Sequence, residues 1–539
     1  MTEKTVIKKY QKPKRIFEKS GSVDPKNSYY VTIENVVNPD NQDIKTMVDK
    51  GRYFSMFAPR QSGKTTFLDA VRSELHTDPT YVVILLSFQN LRKVGKKQFY
   101  SQIQKKLYVQ LKSRLNEVNC QKYDAVERLC NQHRITDHLS FMHLFEELNQ
   151  VIQSKKIVIF IDEFDGISVK ELENFLTTLR ELYISYKKVK QKALYSIGLI
   201  GIRNITKLIV GGVSPFNIAD HVELPPFSLK NIRDLYSQYT EETNQPFIEE
   251  AVKKVYDETG GQPWLVNRLG TILTVDVKPG TIEPIERKDV ETAIEILLSE
   301  RNDHFDNLYE KAKPCKETFA KIVLDNVKYN PNDEDQTWLE QHGLIKKKEK
   351  KAVVANNIYR ERYIETFFNE VEVPGDIFTA EYLAAGDRLD IKRILLDFDQ
   401  YIAQIGVRAF YKEKKPYEKT GQFLLTAWLY RFTKNGLGDL RYETPSGLGR
   451  MDIILTYKER KYIIETKVNH QDNITRILNQ GITQLAYQYL ATESIQEGYL
   501  VIFDTRTHAG AVCKSQDHWE GNKKITSFII GIGRNPGVK

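Results

Sequence analysis

The sequence is short of the residues that staple small folds or anchor a chain in a bilayer. Its four cysteines, Cys120, Cys130, Cys315 and Cys513, stand far apart and form no C-x-x-C pair in 539 residues. That usage excludes a disulfide scaffold and a cysteine-rich zinc site, and it is what a reducing cytoplasm would select. No run approaches the ~18 consecutive apolar residues a spanning helix needs, so no membrane partner is expected. The first twenty residues are rich in Lys and lack the apolar centre of a secretory signal. Internal repeats and low-complexity tracts are lacking too. With 41% hydrophobic and 28% charged residues, wholesale disorder is excluded. Basic residues outnumber acidic ones by 79 to 71, and a net charge of +8 permits a polyanionic partner without demanding one. At ~150 residues per domain, the length implies three or four domains.

Residues 1–25 read as a basic leader, a solvated tail. Strand-like runs then alternate with amphipathic stretches: Tyr53–Ala58, Tyr81–Ser87, Ile157–Asp162, Ile197–Ile202 and Lys207–Val210. Such alternation predicts an α/β fold with a parallel sheet covered on both faces. The core is placed at 26–227, ending at Leu224-Pro225-Pro226. Residues 228–300 have helical periodicity and read as a lid, broken once at Gly260-Gly261-Gln262-Pro263. Residues 301–370 read as helices followed by a hairpin tipped with Lys346, Lys347, Lys348, Lys350 and Lys351, the outline of a winged helix. Pro374-Gly375 suits a linker, and 371–539 begins helical before running through short strands.

Two constellations carry chemistry. The first is Ala58-Pro59-Arg60-Gln61-Ser62-Gly63-Lys64-Thr65-Thr66, between a buried strand and a helix start. It fits G-x-x-x-x-G-K-[ST] except that Ala58 replaces the first Gly. Backbone N–H groups from Arg60 to Thr66, with the helix N-terminus, can cradle the phosphates of ATP. Lys64 would bridge the β- and γ-phosphates, and the Thr65 hydroxyl would ligate Mg²⁺. Some 95 residues later an apolar strand ends in Asp162-Glu163. Asp162 would hold the Mg²⁺ water shell and Glu163 would polarise the attacking water. Arg203 follows a strand at a place where a sensor meets the γ-phosphate, a surface arginine being the plain alternative. Tyr29 and Tyr30 read as core aromatics before adenine partners.

The second constellation is a hairpin. Gly449-Arg450-Met451-Asp452 opens its first strand, and Glu465-Thr466-Lys467 lies on its second. Pairing Tyr457 with Lys461 sets Asp452 opposite Thr466, beside Glu465, with Glu465 and Lys467 on one strand face. Two adjacent carboxylates repel, and a divalent cation relieves them. Lys467 can then orient a water and balance charge on a scissile phosphate. Glu418, opening an upstream helix, and Gln484, in a downstream helix, are further candidates, with Glu443 competing against Glu418.

Read together, these motifs resemble two known families. The N-terminal half resembles AAA-like P-loop ATPases of the STAND and origin-recognition groups, on Ala58–Thr65, Ile161–Asp165, Gly201–Asn204, Ser214–Ala219 and Gly261–Val266. Such proteins carry a helical lid and a winged helix after the core. The C-terminal part resembles the PD-(D/E)xK nuclease superfamily, on Gly449–Asp452 and Ile464–Lys467. The resemblance implies nucleotide contacts at Gly63, Lys64 and Thr65. It implies Mg²⁺ and water handling at Asp162 and Glu163, metal ligation at Asp452 and Glu465, and a catalytic Lys467. The arginine finger stays open among Arg60, Arg203 and Arg268. The expected function is an ATPase that regulates a Mg²⁺-dependent nuclease acting on nucleic acid, DNA before RNA, with further copies of the chain as partners. The alternative is an ATP-dependent switch or sensor whose nuclease-fold domain is catalytically silent.

Overall fold

The computed structural model describes residues 9–533 apart from 153, 190–193, 203–217, 325–326, 371–378, 385–387, 406–420, 423, 427, 430–438, 447–448, 459, 471–472, 494 and 509–512. The chain divides into two compact units: Met1–Cys315 with Asn330–Lys346 and Val354–Tyr359, and Lys316–Tyr329 with Lys347–Val353 and Arg360–Lys539.

The first unit is built on strands β1 (Phe54–Phe57), β2 (Tyr81–Ser87), β3 (Lys156–Asp162), β4 (Leu194–Gly201) and β5 (Asp220–Glu223). All five are parallel, in the order β2-β3-β4-β1-β5. β2 and β3 are near-continuous apolar runs because helices bury both faces of a parallel sheet. The expected α/β core is present, and β1 to β4 fall on the first four predicted runs. Lys207–Val210 lies outside the described residues. β5 has a single apolar residue, Val222, and becomes a strand only by pairing with β1.

Helices α1 (Ile44–Asp49), α2 (Lys64–Leu75), α3 (Lys96–Glu117), α4 (Tyr123–Gln132), α5 (His138–Val151) and α6 (Val169–Val189) belong to this core. Leu107 of α3, Phe145 of α5 and Phe175 of α6 share one apolar cluster with Ile84 and Ile159 of the sheet. The helical part follows as α7 (Leu229–Thr243), α8 (Glu249–Thr259), α9 (Pro263–Ile272), α10 (Arg287–Ser299) and α11 (Asp303–Ala312). Ser228 and Asn231 form a capping box that starts α7, and the Gln262 side chain accepts from Leu265 N to start α9, with Pro263 at its first position. Between α8 and α9, Gly261 has φ 76°, and a Cβ there would lie 1.9 Å from the Phe227 carbonyl oxygen. Only glycine satisfies both constraints.

The basic leader is not a solvated tail over its described part. Lys14 N donates to Glu242 (2.5 Å), Gln11 N donates to the Thr243 carbonyl (3.0 Å), and Val23 N donates to Thr66 Oγ1 (3.0 Å). Residues 9–30 thus strap α7 to the start of α2.

From α11 onward come α12 (Lys316–Leu324), β6 (Val327–Lys328), α13 (Glu334–Gln341), β7 (Ile345–Lys348), β8 (Lys351–Val354) and α14 (Asn357–Glu370), with the short strands ordered β6-β8-β7. Lys346 to Lys351 are exposed at the β7–β8 turn.

The second unit contains a two-stranded ribbon, β9 (Leu383–Ala384) and β10 (Arg388–Leu389), and helix α15 (Ile391–Ile405). Its main sheet comprises β11 (Asp439–Ser446), β12 (Gly449–Tyr457), β13 (Arg460–Asn469), β14 (Glu497–His508), β15 (Lys514–Glu520) and β16 (Lys523–Gly533). The order is β11-β12-β13-β14-β16-β15; β13, β14 and β16 are parallel to one another and the outer pairings are antiparallel. Helix α16 (Ile474–Gln484) and the π-turn Leu485–Tyr489 cover one face, packing Ile482, Leu485 and Tyr489 on Ile454, Ile463, Leu500 and Ile502.

Candidate functional site

In the first unit, β1 and β3 flank β4, so their C-terminal ends face a common edge, where open α/β sheets bind ligands. The loop after β1 turns sharply into α2. Gly63 (φ 87°) and Gln61 (φ 56°) both take left-handed conformations. The Lys64 ammonium is 7% exposed and donates to the Ala58 carbonyl (2.9 Å) and the Pro59 carbonyl (2.5 Å). Burial lowers its pKa, opposed by the nearby charges of Asp162, Glu163 and Asp165. The Thr65 hydroxyl donates to Asp162 Oδ2 (2.8 Å), and Glu163 N donates to Asp162 Oδ1 (2.8 Å). Glu163 itself has φ 52°, which turns it out of the strand line. Two hard oxygen donors this close, Thr65 and Asp162, would suit a magnesium ion. Arg60, Gln61 and Thr65 are exposed, and Ser62 Oγ donates to the Pro59 carbonyl (2.9 Å). Thr66, on the first turn of α2, accepts from Val23 N through its hydroxyl.

Other residues find different places. Tyr29 is 1% exposed and its hydroxyl donates to Glu242 (2.9 Å), so it is a core aromatic. Tyr30, with Ile33, Gly63, Phe67 and Pro263, lines a recess of about 50 Å³ beside the loop. The Arg268 guanidinium is engaged by the Glu300 carboxylate. Arg203 lies outside the described residues. Gln262, from the break between two helices, and His304, which the sequence did not single out, meet the loop at Gln61: the Gln262 amide donates to the Gln61 carbonyl (3.2 Å), and the His304 ring bonds the Gln61 side chain.

In the second unit the hairpin register differs by one from the expected pairing. Tyr457 pairs with Arg460 and Ile453 with Ile464, leaving two residues rather than three in the turn. Lys458, at φ 43°, supplies the left-handed residue that a two-residue hairpin requires. The pairing runs as far as Ile453–Ile464 and stops one residue short of Asp452. Residues two apart on a strand share a face, so Glu465 and Lys467 point with Ile463 to the side covered by α16.

Glu465 is 1% exposed, Lys467 Nζ lies 2.5 Å from its Oε1, and its Oε2 has no hydrogen-bond partner. Burial, then the charge of Asp452, pushes its pKa up to about 7, against the pull of Lys467. Thr466 N (2.8 Å) and Oγ1 (2.7 Å) both donate to Asp452 Oδ2. The Gln484 amide donates to the Tyr489 hydroxyl (2.5 Å), and burial together with Glu465 and Asp452 raises the Tyr489 pKa. Gln484 is therefore tied to the neighbourhood of the acidic pair through Tyr489. Glu418 lies outside the described residues, as does the side chain of Glu443. Among the described residues no three His, Cys, Asp or Glu side chains gather as a metal cluster; Asp452 and Glu465 stand as a pair.

The family model of the AAA-like domain matches residues 18–366, well over half of the chain. The chain belongs to the AAA-like domain family. With the parallel sheet and phosphate loop, this makes it a P-loop ATPase in fold. A domain of unknown function matches residues 389–507 of this AAA-like protein. No curated protein matches the sequence. Among solved structures, the Walker-type ATPase PABY2304 of Pyrococcus abyssi is 12% identical with a TM-score of 0.43, covering 61% of this chain and 98% of its own. Cdc6p from Pyrobaculum aerophilum is 11% identical with a TM-score of 0.31, over 59% of this chain and 88% of its own. The Aeropyrum pernix Orc1 protein, solved in complex with DNA, is 13% identical with a TM-score of 0.29, over 63% and 95%. Among the described residues no helix is long and apolar enough to cross a membrane.

Proposed function

We propose that this AAA-like protein is an ATP-regulated, metal-dependent nuclease. The AAA-like part is the switch and the C-terminal sheet carries the cutting site. One observation carries the second half of this reading: a buried Glu465 with an unpartnered oxygen, beside Lys467 and within reach of the Asp452 charge. Two carboxylates in that position are relieved by a divalent cation, and their oxygens suit Mg²⁺ or Mn²⁺. Asp452 and Glu465 would hold the ion, which when bound supplies Lewis-acid polarisation of a phosphate oxygen. Thr466 fixes the Asp452 carboxylate. Lys467 orients water beside the phosphate and balances charge developing on it. Gln484, through Tyr489, limits the rotamers available around Glu465.

In the AAA-like part, Lys64 and the backbone of residues 60–66 hold the phosphates of ATP. Thr65 and Asp162 hold Mg²⁺, and Glu163 polarises the attacking water. The recess beside Tyr30 takes the base. Residues 26–227 act as core, 228–300 as lid and 301–370 as winged helix, with 371–539 as the nuclease part. The exposed lysines from Lys346 to Lys351 contact phosphates of the nucleic acid, DNA before RNA, without reading its sequence.

The test uses plasmid and linear DNA with Mg²⁺ or Mn²⁺, with and without ATP. The wild type is expected to cut. Lys467→Ala should lose cutting by at least about a hundredfold, and Lys64→Ala should lose its dependence on ATP. ATP turnover without scission under every condition would overturn the nuclease reading and leave an ATP-dependent switch with a silent C-terminal site.

A further inference from the structure

A non-glycine residue in the left-handed region is uncommon and stays there only where its surroundings impose it. Gln61 is such a residue, at φ 56°, in the middle of the phosphate loop. It is held at two points. The Gln262 amide, from the cap of α9, donates to its carbonyl (3.2 Å). Its side-chain Oε1 is bonded to His304 Nδ1, a residue of α11.

His304 is itself fixed on every side. It is 5% exposed and stacked on Trp264 with centroids 4.2 Å apart and planes 13° apart. Its Nε2 meets the Tyr359 hydroxyl of α14 at 2.8 Å. An amide oxygen only accepts, so Nδ1 carries the ring proton and Nε2 accepts from the tyrosine. Trp264 is anchored in turn, its indole N–H donating to the Lys19 carbonyl (3.0 Å). His304 and Tyr359 border a cleft of about 760 Å³ whose walls also include Pro59, Arg60 and Gln61. Among the described residues, the one polar link from Trp264, His304 and Tyr359 to the loop runs through the Gln61 side chain.

We infer that His304 is a positioning residue for ATP hydrolysis: clamped between Trp264 and Tyr359, it tethers the Gln61 side chain and so holds the phosphate loop in the left-handed turn that aligns its N–H groups. Without the tether the Gln61 backbone relaxes toward negative φ, and the loop pays for alignment each time nucleotide binds. His304 acts through Gln61 and makes no contact with nucleotide.

The experiment compares ATP turnover and ATP-analogue binding in four full-length proteins. His304→Phe keeps the stack and removes both hydrogen bonds. Gln61→Ala removes the tether at an exposed position and keeps the Cβ that disfavours positive φ. Gln61→Gly removes the tether and the strain together. His304→Phe/Gln61→Gly combines them. His304→Phe and Gln61→Ala should each raise KM for ATP at least about fivefold and weaken analogue binding in step. Gln61→Gly should have a KM for ATP at least about threefold below that of Gln61→Ala, and adding it to His304→Phe should restore most of the lost affinity. A merely structural His304 would show a lower melting temperature with unchanged KM in the folded protein and no rescue by glycine, and either result overturns the proposal. If His304→Phe does not fold, Gln61→Ala against Gln61→Gly decides alone: equal KM values overturn it.

Discussion

At Lys64 an ammonium is nearly withdrawn from water, held by two carbonyls of its own loop, with three carboxylates near enough to offset part of the desolvation. A charge kept this way is poised for an anionic ligand, because phosphate oxygens are better partners than carbonyls. His304 shows the opposite use of burial. Its pKa is pushed down from 6.5 to about 3, chiefly by burial and then by the Arg60 charge, so it is neutral in the fold. The unfolded chain therefore binds the extra proton between these values, and the stability that neutral His304 contributes is complete above pH 6.5 and lost as pH falls toward 3. Between about pH 7.5 and 5 the wild type should lose about 2 kcal/mol that His304→Phe does not lose, read by urea unfolding across that range. Lys64 and Thr65 were legible because a phosphate loop is written in consecutive residues, and Asp162 because it ends a continuous apolar strand. His304 was not: its partner Gln61 is 243 residues away, and a lone histidine in a helix gives no sign of what it faces.

Among the elements, β3 is the most demanding. It lies second in the sheet, pairs on both sides, and its interior residues are wholly buried. Phe160, at 0% exposure, meets Phe54 of β1 edge-on at 5.7 Å. Phe160→Ala should cost about 3–5 kcal/mol in urea unfolding, since a rigid sheet covered on both faces cannot collapse into the cavity. The same hydrophobic continuity made β1 to β4 readable from sequence, whereas β5, with one apolar residue, was invisible until β1 was there to pair with it. The β12–β13 hairpin was also readable as a hairpin, but its register was not. Two or three turn residues both leave an alternating pattern, and the left-handed Lys458 selects the shorter turn.

At the scale of the whole molecule, two units with separate sheets should not unfold as one. Urea unfolding is expected to show two steps. ATP with Mg²⁺ at about a hundred times Kd should raise the AAA-like step by about 2.7 kcal/mol and leave the other in place. Lys64→Ala should abolish the shift. Fluorescence and far-UV circular dichroism recorded together would separate the steps, and a single transition moving as a whole with ATP would contradict the prediction.

The sequence alone determined the parallel α/β core, the phosphate loop with its Lys64 and Thr65, the strand that ends in Asp162, and the placing of Glu465 and Lys467 on one strand face. Each of these is encoded in a local period or a short motif, where covalent spacing does the positioning. Tertiary structure alone decided which residues face one another: Gln61 with His304, Gln484 with Tyr489, and the leader strapped to α7 instead of loose in water. Those contacts join segments that chain connectivity leaves independent. They exist because burying the apolar faces of the helices and sheets fixes where each polar side chain emerges.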